Sequence, residues 1–257
     1  MANFPAPFFF SLSRIAVALI LLAAASTALA TTSAKSAPKS IEPFNATYQL
    51  LRGNLPVAEV QRTLKKLSDG RFQYESTSRG IGLAALFVKD VITEESQWRF
   101  GTQGELQPLD YHFARIGGKR EHRVSASFDW RSGVIHSQVD SETTRVSIPK
   151  RPQDKLLYQL ALMFDLRAGA THFEYDVADD GEIKTYKFEK IGEKEITTKL
   201  GALHAIGLQW SRNNRTTTVW CAPALQFLPV QISQTEKSGE VLDLILTAVD
   251  GLSRTNK

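Results

Sequence analysis

Apolar and polar residues alternate along most of this chain. From Asn45 to Ile148, and again from Phe173 to Val249, the signals are nearly all β, with runs in which apolar residues return at every second position, the period of a half-buried strand. Ala46, Tyr48 and Leu50 run into the turn Arg52-Gly53-Asn54, and Leu55-Pro56-Val57 opens a second run to Leu67. Ser68-Asp69-Gly70 turns into Phe72, and strand texture returns over residues 91–100 and 109–116. The most patterned text lies at 210–249, where Thr216–Pro223 and Phe227–Ile232 alternate β-branched or aromatic residues with polar ones.

Two turns predict registers. Gly117-Gly118, as a two-residue hairpin, sets Ile116 opposite Lys119, Phe113 opposite His122, Tyr111 opposite Val124 and Leu109 opposite Ala126. His112 then lies on the other face from His122, which makes the two a poor metal pair. Asn213-Asn214 sets Trp210 opposite Thr217, Leu208 opposite Val219 and Ile206 opposite Cys221. Trp220 falls on the reverse face across from Gly207, where its ring has room, and Cys221 reads as a small core residue. A last hairpin turns at Ser238-Gly239, with Leu242, Leu244 and Leu246 on one face.

One stretch has the helical period. Over 149–167, Leu156, Leu157, Leu160, Ala161, Met163 and Phe164 form one arc, with Leu162 and Leu166 intruding on the polar side. Pro152 suits a first helical position, Asp154 complements the macrodipole, and Gly169 suits the residue past the end. So wide an arc predicts a helix against or inside a curved sheet; a partner-binding helix is the alternative. Residues 81–87 are apolar without alternation and read as a short helix or a loop folded over an opening. The expected fold is mainly β: a single-domain antiparallel roll, barrel or half-barrel of more than ten strands with one inserted long helix.

The first thirty residues change the picture of where the chain lives. Arg14 is their only charge, and it precedes an apolar run that closes on Ala28-Leu29-Ala30. This is the pattern of a signal peptide cleaved after Ala30, and the apolar core is too short for a membrane anchor. Residues 31–43 read as a disordered leader, 44–250 as the β-rich domain and 251–257 as a flexible C-terminus. The expected location is the periplasm, with no transmembrane anchor after cleavage. Without Arg14 the chain keeps 30 basic and 27 acidic residues, interleaved, which argues against a nucleic-acid partner. Cys221 is the single cysteine, so no internal disulfide supports the core.

No motif carries recognisable catalysis or a cofactor. The five histidines show neither helical pairing nor cysteine partners at zinc spacing, and no serine sits in a G-x-S-x-G elbow. Gly80 and Gly82 lack the lysine and helix of a phosphate loop. The chain is therefore expected not to be an enzyme, with no catalytic, cofactor or metal residues. Candidate ligand contacts are Leu83, Leu86 and Phe87 of a possible lid, and the four tryptophans Trp98, Trp130, Trp210 and Trp220. Core packing is the alternative role of the tryptophans.

Several motifs together resemble a known family. They are Arg52–Glu59, Gly82–Phe87, Phe128-Asp129-Trp130 followed by Gly133, and Trp220 to Val230 with Ala222-Pro223 and Leu228-Pro229-Val230. The chain resembles exported proteobacterial proteins catalogued as the domain of unknown function numbered three-one-zero-eight, over about 44–249. The resemblance implies a periplasmic, mostly β domain of a Gram-negative bacterium and brings no catalytic residues. A looser architectural likeness is to periplasmic lipoprotein carriers. The expectation is a binding or carrier module of the cell envelope for an apolar or amphipathic ligand. The alternative is an interaction or scaffold protein of envelope assembly, with a filled core and no ligand.

Overall fold

The computed structural model describes residues 40–86, 89–118 and 121–254. The expected signal peptide and residues 31–39 of the expected leader lie outside them. The strands are β1 (Phe44–Arg52), β2 (Leu55–Lys66), β3 (Phe72–Gly80), β4 (Val91–Phe100) and β5 (Leu106–Ile116). Next come β6 (His122–Asp129), β7 (Val134–Val139), β8 (Glu142–Ser147) and the short β9 (Pro152–Asp154). Helix α1 (Tyr158–Arg167) precedes β10 (Phe173–Asp179), β11 (Glu182–Thr198), β12 (Gly201–Arg212), β13 (Arg215–Ala222), β14 (Leu228–Thr235) and β15 (Val241–Asp250).

All fifteen strands belong to one sheet, in the order β8-β7-β6-β5-β4-β3-β2-β1-β15-β14-β13-β12-β11-β10-β9. Neighbours are antiparallel except β9 and β10, which are parallel. Parallel strands need a crossover, and α1 supplies it. Residues 148–151 carry the chain from one edge strand, β8, to the other, β9, so the sheet must curl until its edges approach. At that seam the Thr144 hydroxyl donates to the Gly181 carbonyl at 2.9 Å. The result is an open half-barrel with the crossover helix inside the curve.

The Asn213-Asn214 register is the expected one: Trp210 pairs with Thr217, Leu208 with Val219 and Ile206 with Cys221. Both asparagines have positive φ, 51° and 60°, as a tight hairpin turn demands. Trp220 pairs with Gly207, where an added Cβ would fall 2.6 Å from the indole ring. The other register is corrected by two residues. Tyr111 pairs with Ala126, Phe113 with Val124 and Arg115 with His122, while Lys119, expected opposite Ile116, lies outside the described residues. Gly118 serves packing there, since a Cβ would sit 1.6 Å from Asp90 Oδ1. A shift of two preserves parity, so the expected apolar face survives.

The helix begins later than its sequence suggests. Pro152 and Asp154 are strand residues, and Asp154 Oδ1 accepts from the backbone N–H groups of Leu156 and Leu157 at 2.9 and 2.7 Å. A carboxylate on those orphan donors starts the turn that leads into α1. Eight of its ten residues are buried, Gln159 among them. A helix covered on nearly every side needs no polar stripe, which explains the intruding Leu162 and Leu166. Leu156, Leu157, Leu160, Met163 and Phe164 join one apolar cluster with Tyr48, Trp98 and Tyr111. Tyr158, Ala161, Leu162 and Leu166 join another with Tyr175, Phe188, Val219 and Cys221.

The ends are better anchored than a leader and a flexible tail would be. Ile41 is buried, and the Glu42 carboxylate accepts from the Ser253 backbone N–H at 2.8 Å and its hydroxyl at 3.0 Å. These contacts correct the expected disorder at 40–43 and 251–254.

Cys221 is fully buried, and burial pushes its thiol pKa up. The native protein should therefore react with a thiol reagent far more slowly than free cysteine. Cys221→Ser should cost about 1–3 kcal/mol, read from urea unfolding, because the hydroxyl arrives among apolar neighbours. Modification as fast as free cysteine would contradict the packing of β12 on β13.

Candidate functional site

Helix α1 does not fill the whole concavity. Beyond Tyr158 and Gln159, at its N-terminal end, a cleft of about 720 Å³ opens toward the mouth of the half-barrel. Its position follows from a gradient along the inward-facing residues. On β1 to β4 these are bulky and apolar deep in the curve, at Tyr48, Leu64, Tyr74 and Trp98. Toward the mouth they become Leu50, Val60, Ser76, Ser78 and Ile92, too small to close the space, and Leu244 and Ile232 face them from β15 and β14. The wall is thus apolar with small hydroxyls.

Charges stand at the base. Arg62 shares the inward parity of Val60 and Leu64 and is 7% exposed. Its Nη1 donates to Gln159 Oε1 at 2.5 Å, and the guanidinium lies 5.1 Å from the Tyr48 ring centre. Its Nε–H has no partner among the described residues, and no carboxylate there forms an ion pair with it. An arginine stays charged at any physiological pH, and buried charges are ordinarily paired. Glu94, half-buried on the same wall, makes no hydrogen bond among the described residues. Burial raises its pKa to about 7, offset in part by Arg62 and Lys155. Asp154, directly behind, is raised to about 6 by burial, although Ser96 donates to it at 2.5 Å.

On the opposite wall Asp179 is paired twice, with Lys155 at 2.9 Å and Lys184 at 2.8 Å. Burial alone would raise its carboxyl, but the two ammonium groups hold it below the ordinary range. The Tyr186 hydroxyl donates to the same carboxylate at 3.1 Å. Trp210 stacks on Tyr186, ring centres 4.0 Å apart, and its buried indole N–H has no partner among the described residues. So the cleft joins an apolar wall to a buried, unpaired cation and a free indole donor. Such a surface can accept an anionic group at the base and a hydrocarbon body along the wall.

Of the residues singled out from sequence, Trp210 alone among the tryptophans lines this cleft. Trp98 is fully buried and stacks on Phe72 at 4.5 Å, so it is core. Trp130 donates its indole N–H to the Pro108 carbonyl at 2.7 Å, away from the mouth. Trp220 lies on the face of β13 opposite Cys221, with the Lys194 ammonium 4.2 Å from its ring centre. These three are corrected from ligand contacts to packing residues. Leu83 and Leu86 stand exposed in a 3₁₀ turn at the mouth, shielding nothing. Phe87 lies outside the described residues. Sequence reading passed over Arg62, Glu94, Lys155 and Asp179. The available signal was parity: Arg62 and Glu94 interrupt the apolar face of their strands.

A second groove, of about 510 Å³, runs over β3 to β7 and is lined chiefly by outward-facing side chains such as Thr77, Glu95, His112 and Arg123. Apart from Glu94 it has no buried charge, and none of its lining side chains carries a buried unpaired donor among the described residues, so the concave cleft is the stronger site. Among the described residues no group of three His, Cys, Asp or Glu side chains is placed to hold a metal ion. Nor is any helix there long and apolar enough to cross a membrane.

The family model described as protein of unknown function (DUF3108) matches residues 44–247, and the chain belongs to that family. No curated protein matches it significantly. Among solved structures it is similar to a beta-barrel-like protein of the domain of unknown function DUF1849 from Brucella abortus. That match has a TM-score of 0.52 at 8% identity and covers 82% of this chain and 98% of the other. At such identity the likeness is one of fold.

Proposed function

We propose that this member of the DUF3108 family is a non-enzymatic binding module that holds an amphipathic ligand in its concave cleft. The ligand's anionic head meets Arg62, and its apolar body lies against Leu50, Val60, Ile92, Ile232 and Leu244. The observation that carries this reading is Arg62: a buried guanidinium with a free N–H and no carboxylate partner, at the closed end of an apolar-walled cleft. The signal-peptide pattern of residues 1–30 supports export, and the reading extends to a carrier of the cell envelope, working in the periplasm.

The test is a titration with cis-parinaric acid, a fluorescent fatty acid, beside native mass spectrometry and organic extraction of protein purified from periplasm. The fatty acid should bind, and Arg62→Met should weaken it roughly tenfold or more, because a buried charge contact is removed. Its methyl ester should bind the parent protein as weakly as the acid binds the variant. Equal affinity of acid and ester would remove Arg62 from the reading, and no binding of either would sink it. The second reading, a scaffold of envelope assembly, draws on the half of the interior that α1 fills. It predicts no extractable ligand.

A further inference from the structure

In an up-and-down sheet, alternate hairpin tips lie at the same end. Those at the mouth of the cleft follow β1, β3, β5, β7, β10, β12 and β14, and the ones after β5, β3, β1, β14 and β12 are consecutive around one arc. Exposed large apolar side chains gather there. Leu55 is 71% exposed, Leu83 81% and Leu86 67%, and Ile116 and Val241 are also exposed. One more exists among the described residues, Ile191, and it lies within β11. The tips are tied together: Gly53 N–H donates to the Val241 carbonyl at 3.4 Å, and Ile81 N–H to the Val57 carbonyl at 3.2 Å. The patch is therefore a built edge with fixed members.

Its charges are sorted. On this arc each of the acids Asp90, Glu121, Glu236 and Glu240 is paired with an arginine, namely Arg115, Arg123, Arg215 and Arg52. Arg79, Lys89, Arg212 and Lys237 are exposed and have no ion-pair partner among the described residues. A contiguous apolar patch marks an interaction surface, and unpaired cations interspersed with it suit an anionic lipid surface. We propose that this rim docks on a bilayer containing anionic lipid, with Leu55, Leu83 and Leu86 entering the headgroup boundary. Docking so would hold the mouth of the cleft against the source of an amphipathic ligand. The rim would dock in this way whether or not the cleft holds a ligand.

The described residues belong to one compact unit, so a chain of residues 35–257 removes the apolar N-terminal run as a cause of binding. The experiment is co-sedimentation with vesicles of phosphatidylcholine alone and of phosphatidylcholine with phosphatidylglycerol. The protein should pellet with the anionic vesicles and be released by salt. Leu83→Glu with Leu86→Glu should lower the partition roughly tenfold or more while the melting temperature stays unchanged. Arg62→Met should pellet as the parent does, which separates this proposal from the ligand reading. No pelleting, equal pelleting of the double variant, or a concentration-dependent dimer that the same substitutions abolish would each overturn it.

Discussion

Leu160→Ala should lower the unfolding free energy by about 2–5 kcal/mol, the range for truncating a fully buried leucine. Leu160 is completely shielded, in the middle of the crossover helix, and belongs to the cluster that joins α1 to both arms of the sheet. A cavity there has walls on every side. The sheet cannot collapse into it without shifting β10 and β14, the strands packed against α1, so the cost should lie toward the upper end. Chemical denaturation of parent and variant gives the number, and an unchanged slope with a lower midpoint would show that only stability moved. A loss below about 1 kcal/mol would mean that the helix is peripheral and the concavity far emptier than the packing indicates. The ligand cleft gives a control: Leu50→Ala, on the half-buried wall, should cost clearly less.

How much of the fold is legible in the sequence varies with the physics of each element. The Asn213-Asn214 hairpin is readable to the residue, because a two-residue turn with both φ values positive leaves one register. Gly117-Gly118 offers the same signal and misleads by two residues. Its Gly117 is required by a φ of 88° and by the Lys89 carbonyl oxygen, 2.8 Å from where a Cβ would stand, a neighbour that the local sequence does not show. The helix is legible as an apolar run but not at its start, where Pro152 and Asp154 suit a first turn and a short strand alike. Its burial on every side depends on a curve closed by strands distant in the chain.

The site is less legible for a similar reason. Trp98 and Glu94 share one strand and one parity, yet one is deep core and the other lines the cleft. Alternation shows which face a side chain takes, and not how far along the curve the interior is filled. The depth to which α1 reaches decides that. Arg62 and Glu94 can still be noticed as charges on an apolar face. Their failure to pair with each other is a distance that only the fold sets.

The largest pH effect should run opposite to ordinary acid denaturation. Glu94 and Asp154 have native pKa values raised to about 7 and about 6, chiefly by burial. In the unfolded chain they release their protons near the usual values of about 4 to 4.5. Between about pH 4.5 and 7 the native state therefore holds protons that the unfolded state has lost, and stability falls as pH rises through this window. Asp179 acts with the opposite sign, because its native pKa is lowered, but its contribution is lost only below the usual carboxylate range. Across the two raised groups the swing should be on the order of 3 kcal/mol, since a tenfold change in proton affinity is worth about 1.4 kcal/mol and the neighbouring groups do not add fully. The melting temperature should accordingly be higher near pH 5 than near pH 8. Glu94→Gln should flatten that slope and raise the melting temperature at the alkaline end. It removes a carboxylate that costs more to bury than Arg62 and Lys155 return. A parent protein whose melting temperature climbs steadily from pH 5 to 8 would mean that Glu94 and Asp154 ionise without penalty. Glu94 would then be paired with Arg62, and the free cation at the base of the cleft would be gone.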